Sequence, residues 1–209
     1  MVKNSIHLFF MMMVVVVLSM VGSGCASFHG NNLPSRYQSD ISTPVQLGTV
    51  GFNAKWFTFG NPNPGMSSMF REKVRNHLVA SGMFSDVIGD CSTETTCLEF
   101  TMNNDGNRGV AFITGYLSGL TLTVLPAYAR DDYAMTVDLK KDGNLLKTYE
   151  YKDSMKTWIQ LFMIFMAGNT SEKVGNEVRE NIYWNFLYDL HNDGAIVCGD
   201  LTKNTQDMQ

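Results

Sequence analysis

The chain has 209 residues, with 16 Lys and Arg against 20 Asp and Glu and a net charge of −4. That balance excludes a nucleic-acid binder, because phosphate contacts need a basic stripe and none occurs. The length suits one domain with a real hydrophobic core.

The amino terminus, "MVKNSIHLFFMMMVVVVLSMVGSGC", carries one cation, Lys3, then an apolar run from Leu8 to Val21, then Gly22, Ser23 and Gly24 before Cys25. This is the three-part layout of a secretory signal peptide. The run of about 14 residues is shorter than the roughly 20 of a spanning helix, and no cationic flank follows it. "VGSGC" resembles the lipobox of bacterial lipoproteins, with Gly22 standing where that family usually has Leu. The resemblance implies that residues 1–24 are a signal peptide that is removed and that Cys25 is acylated and becomes the new amino terminus. Two or three acyl chains, at about 0.8 kcal/mol per buried CH₂, make an effectively permanent anchor. Ala26 follows the cysteine, where the family's inner-membrane retention signal is Asp, so the resemblance implies the periplasmic face of the outer membrane. On the residues alone, an ordinary secreted protein cut near Gly24 or Ala26 and an uncleaved anchor remain as alternatives.

Removal of 24 residues leaves 185 of the 209, and the loss of Lys3 takes the net charge from −4 to −5. "SFHGNNLPSRYQSDISTP", Ser27 to Pro44, is polar and punctuated by Pro34 and Pro44, so residues 25–44 read as the lipidated cysteine and a flexible tether. Residues 45–201 then form a single domain and 202–209 a disordered tail.

Within the domain, Val50, Phe52, Ala54 and Trp56 alternate, which predicts a half-buried strand over Leu47 to Phe59. "GNPNPG" ends it. Asn63 is the N-cap and Pro64 the first residue of a helix whose inner face is Met66, Phe70, Val74, His77, Leu78 and Ser81, stopped by Gly82. "MFSDVIG" is a second strand and Cys97 to Met102 a third, with "NNDGN" after it a turn. "MFREKVRNHLVASGMFSDV" resembles the small α/β domain of Tol-type periplasmic proteins and of envelope lipoproteins of the curli-secretion kind, through Leu78, Ser81, Gly82, Phe84 and Val87. In an oxidising compartment Cys91 and Cys97 can close a local disulfide, with Cys198 an alternative partner for either.

"RGVAFITGYLSGLTLTVLPAYAR", Arg108 to Arg130, then runs through twenty-one uncharged residues. Ala111, Gly115, Gly119 and Thr123 form a small-residue stripe, while Leu120, Leu122 and Val124 alternate with Thr121 and Thr123. The expectation is a helical turn or two, then an extended run to Pro126, with core burial the leading reading and an exposed patch or a transmembrane span the others. Next, Tyr133, Met135, Val137 and Leu139 alternate before "DGN", predicting a hairpin. A three-residue turn sets Val137 against Tyr149 and Met135 against Tyr151, whereas a two-residue turn mixes the faces, so the former is expected. The hairpin brings together the ends of two uncharged segments, 109–129 and 157–168. Their meeting defines an apolar patch of Ile113, Leu117, Leu120, Leu122, Trp158, Leu161, Phe162 and Phe165. "GYLSGLTLTVLPAYARDDY" followed by "YEYKDSMKTWIQLF" is similar to a recurrent pattern in uncharacterised bacterial lipoproteins. A last helix follows, with Val174, Val178, Ile182, Phe186 and Leu190 at every fourth residue, and "AIVCGDL" supplies a short edge strand.

The resulting fold class is α+β: a single mixed or antiparallel sheet with two main helices packed on it and two apolar segments flanking a hairpin. Paired carboxylates, nucleophile triads, metal spacings and phosphate loops are absent from the sequence pattern. No enzyme, cofactor, metal or small-molecule substrate is therefore expected. The expected role is a binding or scaffold component of an envelope assembly, held to the membrane by its lipid and docked on an envelope protein. The alternative is a membrane-inserting or oligomeric export component that uses the two apolar segments.

Overall fold

The computed structural model describes residues 24–41, 47–91, 96–160 and 168–193. Residues 1–23 of the expected signal peptide, Cys198 with its expected edge strand, the tail from 202, and Leu161, Phe162 and Phe165 of the apolar patch lie outside the described residues. The strands in chain order are β1 (Gly24–His29), β2 (Thr49–Thr58), β3 (Asn61–Pro62), β4 (Asp86–Ile88), β5 (Thr96–Gly106), β6 (Ala127–Lys141) and β7 (Asn144–Gln160). The helices are α1 (Pro64–Ala80), α2 (Arg108–Leu120) and α3 (Ser171–Asn192).

The fold is α+β, built on one mixed sheet of seven strands in the order β1-β7-β6-β5-β2-β3, with β4 paired to β2. β2 runs parallel to β4 and β5, with Ala54 opposite Phe100, while β1 runs antiparallel to β7. Three helices accompany the sheet among the described residues, one more than expected, because the first apolar segment supplies α2. Cα packing divides the chain into two units. The described part of one comprises 24–30, 106–131, 154–160 and 168–177; that of the other comprises 31–41, 47–91, 96–105, 132–153 and 178–193.

In the second unit the period-two alternation of β2 buries Val50, Phe52, Ala54 and Trp56. Asn63 caps α1 by accepting the Met66 N–H at 3.1 Å, with Pro64 in the first turn, and Phe70, Val74, His77 and Leu78 turn inward. Met66 is only half-buried. Phe70 meets Trp56 edge-on at 5.6 Å and stacks on Tyr183 at 6.1 Å, while Phe186 meets Phe100 at 5.3 Å and Tyr149 at 5.5 Å. Such rings in edge and offset geometry add to the area they bury. Beneath α3, the Tyr151 hydroxyl donates to Asp189 at 2.6 Å, and Asp193 accepts from Tyr149 at 2.9 Å and from Lys147 at 2.5 Å. Burial, then the bond to Asp189 and that carboxylate's charge, push the Tyr151 phenol well above its ordinary value of 10.0. Burial works to raise Asp193, but the Lys147 and Tyr149 bonds and the lysine charge outweigh it and hold it below its ordinary 3.8.

The β6–β7 hairpin corrects one expectation. Its turn is the two-residue Asp142–Gly143, both at positive φ (51° and 78°), the primed geometry that suits a twisted ladder. The inward residues are nevertheless Met135, Val137, Tyr149 and Tyr151, and Thr148 Oγ1 donates to Asp138 at 2.6 Å on the outer face. "NNDGN" is likewise no turn: Asn103 to Gly106 continue β5, and Asn107 caps α2. Cys91 and Cys97 are joined in a disulfide, with Cα atoms 5.4 Å apart.

Residues 30–41 are held by hydrogen bonds and packing and do not form a loose tether. Asn32 N–H donates to Asp153 at 3.2 Å, Arg36 N–H to Asn181 at 2.9 Å, and Asn185 to the Pro34 carbonyl at 2.9 Å; the Arg36 guanidinium lies 3.8 Å over the Tyr188 ring. A polar, proline-punctuated segment looks like a linker in sequence, but here asparagines of α3 satisfy its backbone.

Candidate functional site

The first unit begins with the cysteine that the amino terminus singled out. β1 places Cys25 opposite Ile159 of β7 and Ala26 opposite Trp158, and Cys25 Sγ is exposed, 3.9 Å from Ser171 Oγ. Ser27, two residues on and on the same face of the strand, is buried: its Oγ lies 2.8 Å from Thr157 Oγ1 and 2.9 Å from Ser171 Oγ, and its N–H donates to Asn169 O at 2.8 Å. His29 Nε2 meets Glu177 at 2.8 Å. Gly30 N–H donates to Ser154 O at 2.6 Å, and a Cβ at Gly30 would stand 2.1 Å from Ser154 Oγ, so only glycine permits that approach. Cys25 is therefore seated in a paired strand, with no slack between it and the folded unit.

α2 starts where Asn107 accepts the Val110 N–H at 3.1 Å. Its pattern is inverted relative to an ordinary surface helix. Ser118 is buried and Ala111, Thr114 and Thr121 are half-buried; all are small or polar, and all fall on one face. Thr114 Oγ1 accepts the Tyr128 N–H at 3.0 Å and lies 3.0 Å from Tyr128 O and 2.8 Å from Val110 O, either of which takes its proton. The Tyr128 ring in turn packs on Trp158 at 4.8 Å. The large apolar side chains point away: Phe112 is 77% exposed, Leu120 66%, Tyr116 63% and Ile113 60%. Nothing among the described residues lies within 4 Å of a Cβ added at Gly115 or Gly119, so no described helix packs on the small-residue stripe there.

Leu122 (φ 51°) and Thr123 (φ 64°) then occupy the left-handed region, a costly conformation for a β-branched residue, and reverse the chain into β6. Thr123 N–H donates to Ser118 O at 2.7 Å to close that reversal. Leu122, Val124 and Leu125 are also exposed. The expected short helix and extended run to Pro126 are thus replaced by a thirteen-residue helix and a tight turn. Core burial of Ile113, Leu117, Leu120 and Leu122 is overturned, because the half-turn residues Thr114 and Ser118 take the inner face. Trp158 sits half-buried against Tyr128, and the second expected apolar segment is strand β7 as far as Gln160.

Phe112, Tyr116, Val124 and Leu125 enlarge the surface beyond the residues that the sequence suggested. The signal for it was present as the small or polar set 111, 114, 118 and 121, spaced for one helical face. A transmembrane span does not arise here: α2 is about 20 Å long at 1.5 Å per residue, against the roughly 30 Å of a bilayer core. No helix among the described residues is long and apolar enough to cross a membrane.

His77, in the other unit, has structural work. It bonds the Lys73 carbonyl through Nδ1 and Glu180 through Nε2, both at 2.7 Å, and packs on Tyr183 and Trp184. No group of three or more His, Cys, Asp or Glu is placed to hold a metal among the described residues.

No family model matches the chain, and no curated protein matches it. Solved structures similar to it include a neuraminyllactose-binding hemagglutinin homolog from Helicobacter pylori, at 10% identity and a TM-score of 0.47, covering 78% of this chain and 92% of that one. A Xanthomonas campestris protein of the DUF330 family is similar at 10% identity and a TM-score of 0.36, with 78% and 92% covered. Rare lipoprotein B from Shewanella oneidensis is similar at 8% identity and a TM-score of 0.29, with 76% and 98% covered.

Proposed function

We propose that this chain is a lipid-anchored, non-catalytic binding or scaffold protein of the bacterial envelope, carried on the periplasmic face of the outer membrane through Cys25. Residues 1–24 are its signal peptide, and the folded part begins at the anchor itself. The observation that carries the reading is the pairing of an exposed Cys25 in β1 with an outward-facing apolar helix, α2, in the same unit. Large apolar patches on a soluble surface mark contact sites, and this one lies on the part of the molecule that would be tethered. The function is then performed by contact, with an envelope protein as partner.

The test is to label cells with radioactive palmitate while expressing the wild-type chain and Cys25→Ser. Incorporation into the wild type alone, with a larger precursor accumulating when lipoprotein signal peptidase is blocked, supports the reading. A normally processed, unlabelled wild type would overturn it. Crosslinking of the tethered protein in its own envelope then identifies the partner.

A further inference from the structure

We propose that α2 and the turn after it lie in the interfacial layer of the bilayer that Cys25 anchors, as a second, non-covalent membrane contact whose occupant is phospholipid. This rests on the reading that Cys25 is acylated. Four observations converge on it.

First, Cys25 is a strand residue paired with Ile159, so the acyl chains leave from the sheet and not from the end of a tether. The unit that contains α2 is consequently held against the bilayer surface. Second, a short run of contacts joins anchor strand and helix: Ala26 pairs with Trp158, Trp158 packs on Tyr128, and Tyr128 bonds Thr114 of α2. Third, Gly109 to Ala129 contains no charged side chain, and the outward face carries Phe112, Ile113, Tyr116 and Leu120. Lipid accepts such a face without a complementary pattern of charges or pockets, whereas no described residue packs against Gly115 or Gly119 as a neighbouring helix would. Fourth, Tyr116, Tyr128 and Trp158 are amphipathic rings of the kind that settle at the headgroup level. A helix of this length cannot span, and an apolar face buried by about 5–10 Å at the headgroup boundary is the geometry open to it. The one basic residue of α2 is the exposed Arg108, a turn before Phe112, so attachment depends mainly on apolar burial and only weakly on anionic lipid and salt.

The experiment uses the lipidated chain purified from membranes in a Cys198→Ser background, with a fluorophore on Leu120→Cys or, as control, on the exposed hairpin residue Leu145→Cys. Both positions are exposed, so neither substitution removes core packing. The protein is reconstituted into vesicles of phosphatidylcholine alone and of phosphatidylcholine mixed with phosphatidylglycerol. Quenching by a nitroxide carried on the lipid chains is compared with quenching by aqueous iodide. The expected result is lipid-borne quenching at position 120 at least about fivefold greater than at 145, with position 120 shielded from iodide. That result should differ little between the two vesicle types and change little in high salt. Access of iodide to position 120 would overturn the proposal, as would shielding from both quenchers, which would mean that protein covers the helix. Palmitate labelling of the same preparation separates the two claims: a chain without acyl groups fails the anchoring reading itself, whereas an acylated chain with a wet or protein-covered α2 fails only this one.

Discussion

Replacing Phe112 and Leu120 together by serine separates what the apolar face does for folding from what it does for binding. Phe112 is 77% and Leu120 66% exposed, so in the folded chain each has left little of its surface buried. Full burial of such a side chain is worth roughly 1.5–3 kcal/mol. Scaled by the exposed fraction, each contributes about 1–2 kcal/mol to any surface that covers it, and the pair about 3 kcal/mol. At 1.4 kcal/mol per factor of ten this is on the order of a 100-fold loss in partition to vesicles. Stability should change by about 1 kcal/mol or less, mostly through the lower helix propensity of serine than of leucine at position 120. The assay uses residues 25–209 with Cys25→Ser, so that no acyl chain contributes, and measures phosphatidylcholine vesicle binding alongside guanidinium unfolding. A fall of more than about 3 kcal/mol in unfolding free energy would place these side chains in a core and refute the reasoning. Unchanged partition would refute it equally.

Three further outcomes follow from the rest of the structure. Phe186→Ala, which removes a ring packed against Phe100, Tyr149 and Tyr151, should cost about 3–5 kcal/mol in guanidinium unfolding, whereas the half-buried Tyr188→Ala should cost much less. Because the Tyr151 phenol is raised above its ordinary 10.0, folding favours its neutral form; stability is fully present below pH 10.0 and is lost as pH rises beyond it. Tyr151→Phe should flatten that alkaline loss in denaturation midpoints measured across this range. Reduction of Cys91–Cys97, or the Cys91→Ser, Cys97→Ser pair, should lower unfolding free energy by about 2 kcal/mol, the chain-entropy value for a short loop, as measured with and without reductant.

How far the sequence spoke for the fold depended on whether local pattern and tertiary packing agreed. α1 and α3 were legible because their apolar residues recur at helical spacing and the caps are supplied locally, Asn63 and Pro64 at the start of α1 being the clearest case. β2 and the inward set of the hairpin were legible for the same reason, at period two. The hairpin turn was less legible, because "DGN" is compatible with two or three turn residues and only the positive φ of both Asp142 and Gly143 decides for two. The stretch from Gly109 to Ala129 was misjudged more deeply. An uncharged run implies burial only if its large side chains face the protein, and here Thr114 and Ser118 take that side. The stretch after Cys25 failed in the opposite sense: its polar composition suggested a free tether, yet β7 and the start of α3 satisfy its backbone and hydroxyls at a distance of more than a hundred residues. Long-range partners of that kind leave no local trace.

In the proposed function Cys25 is the point where the molecule meets the membrane. Mass spectrometry of the mature chain isolated from its own envelope tests this most directly. The predicted result is an amino-terminal peptide that begins at Cys25 and carries a diacylglycerol on sulfur. A mature chain that begins elsewhere, or that carries residue 25 as an unmodified thiol, would contradict it.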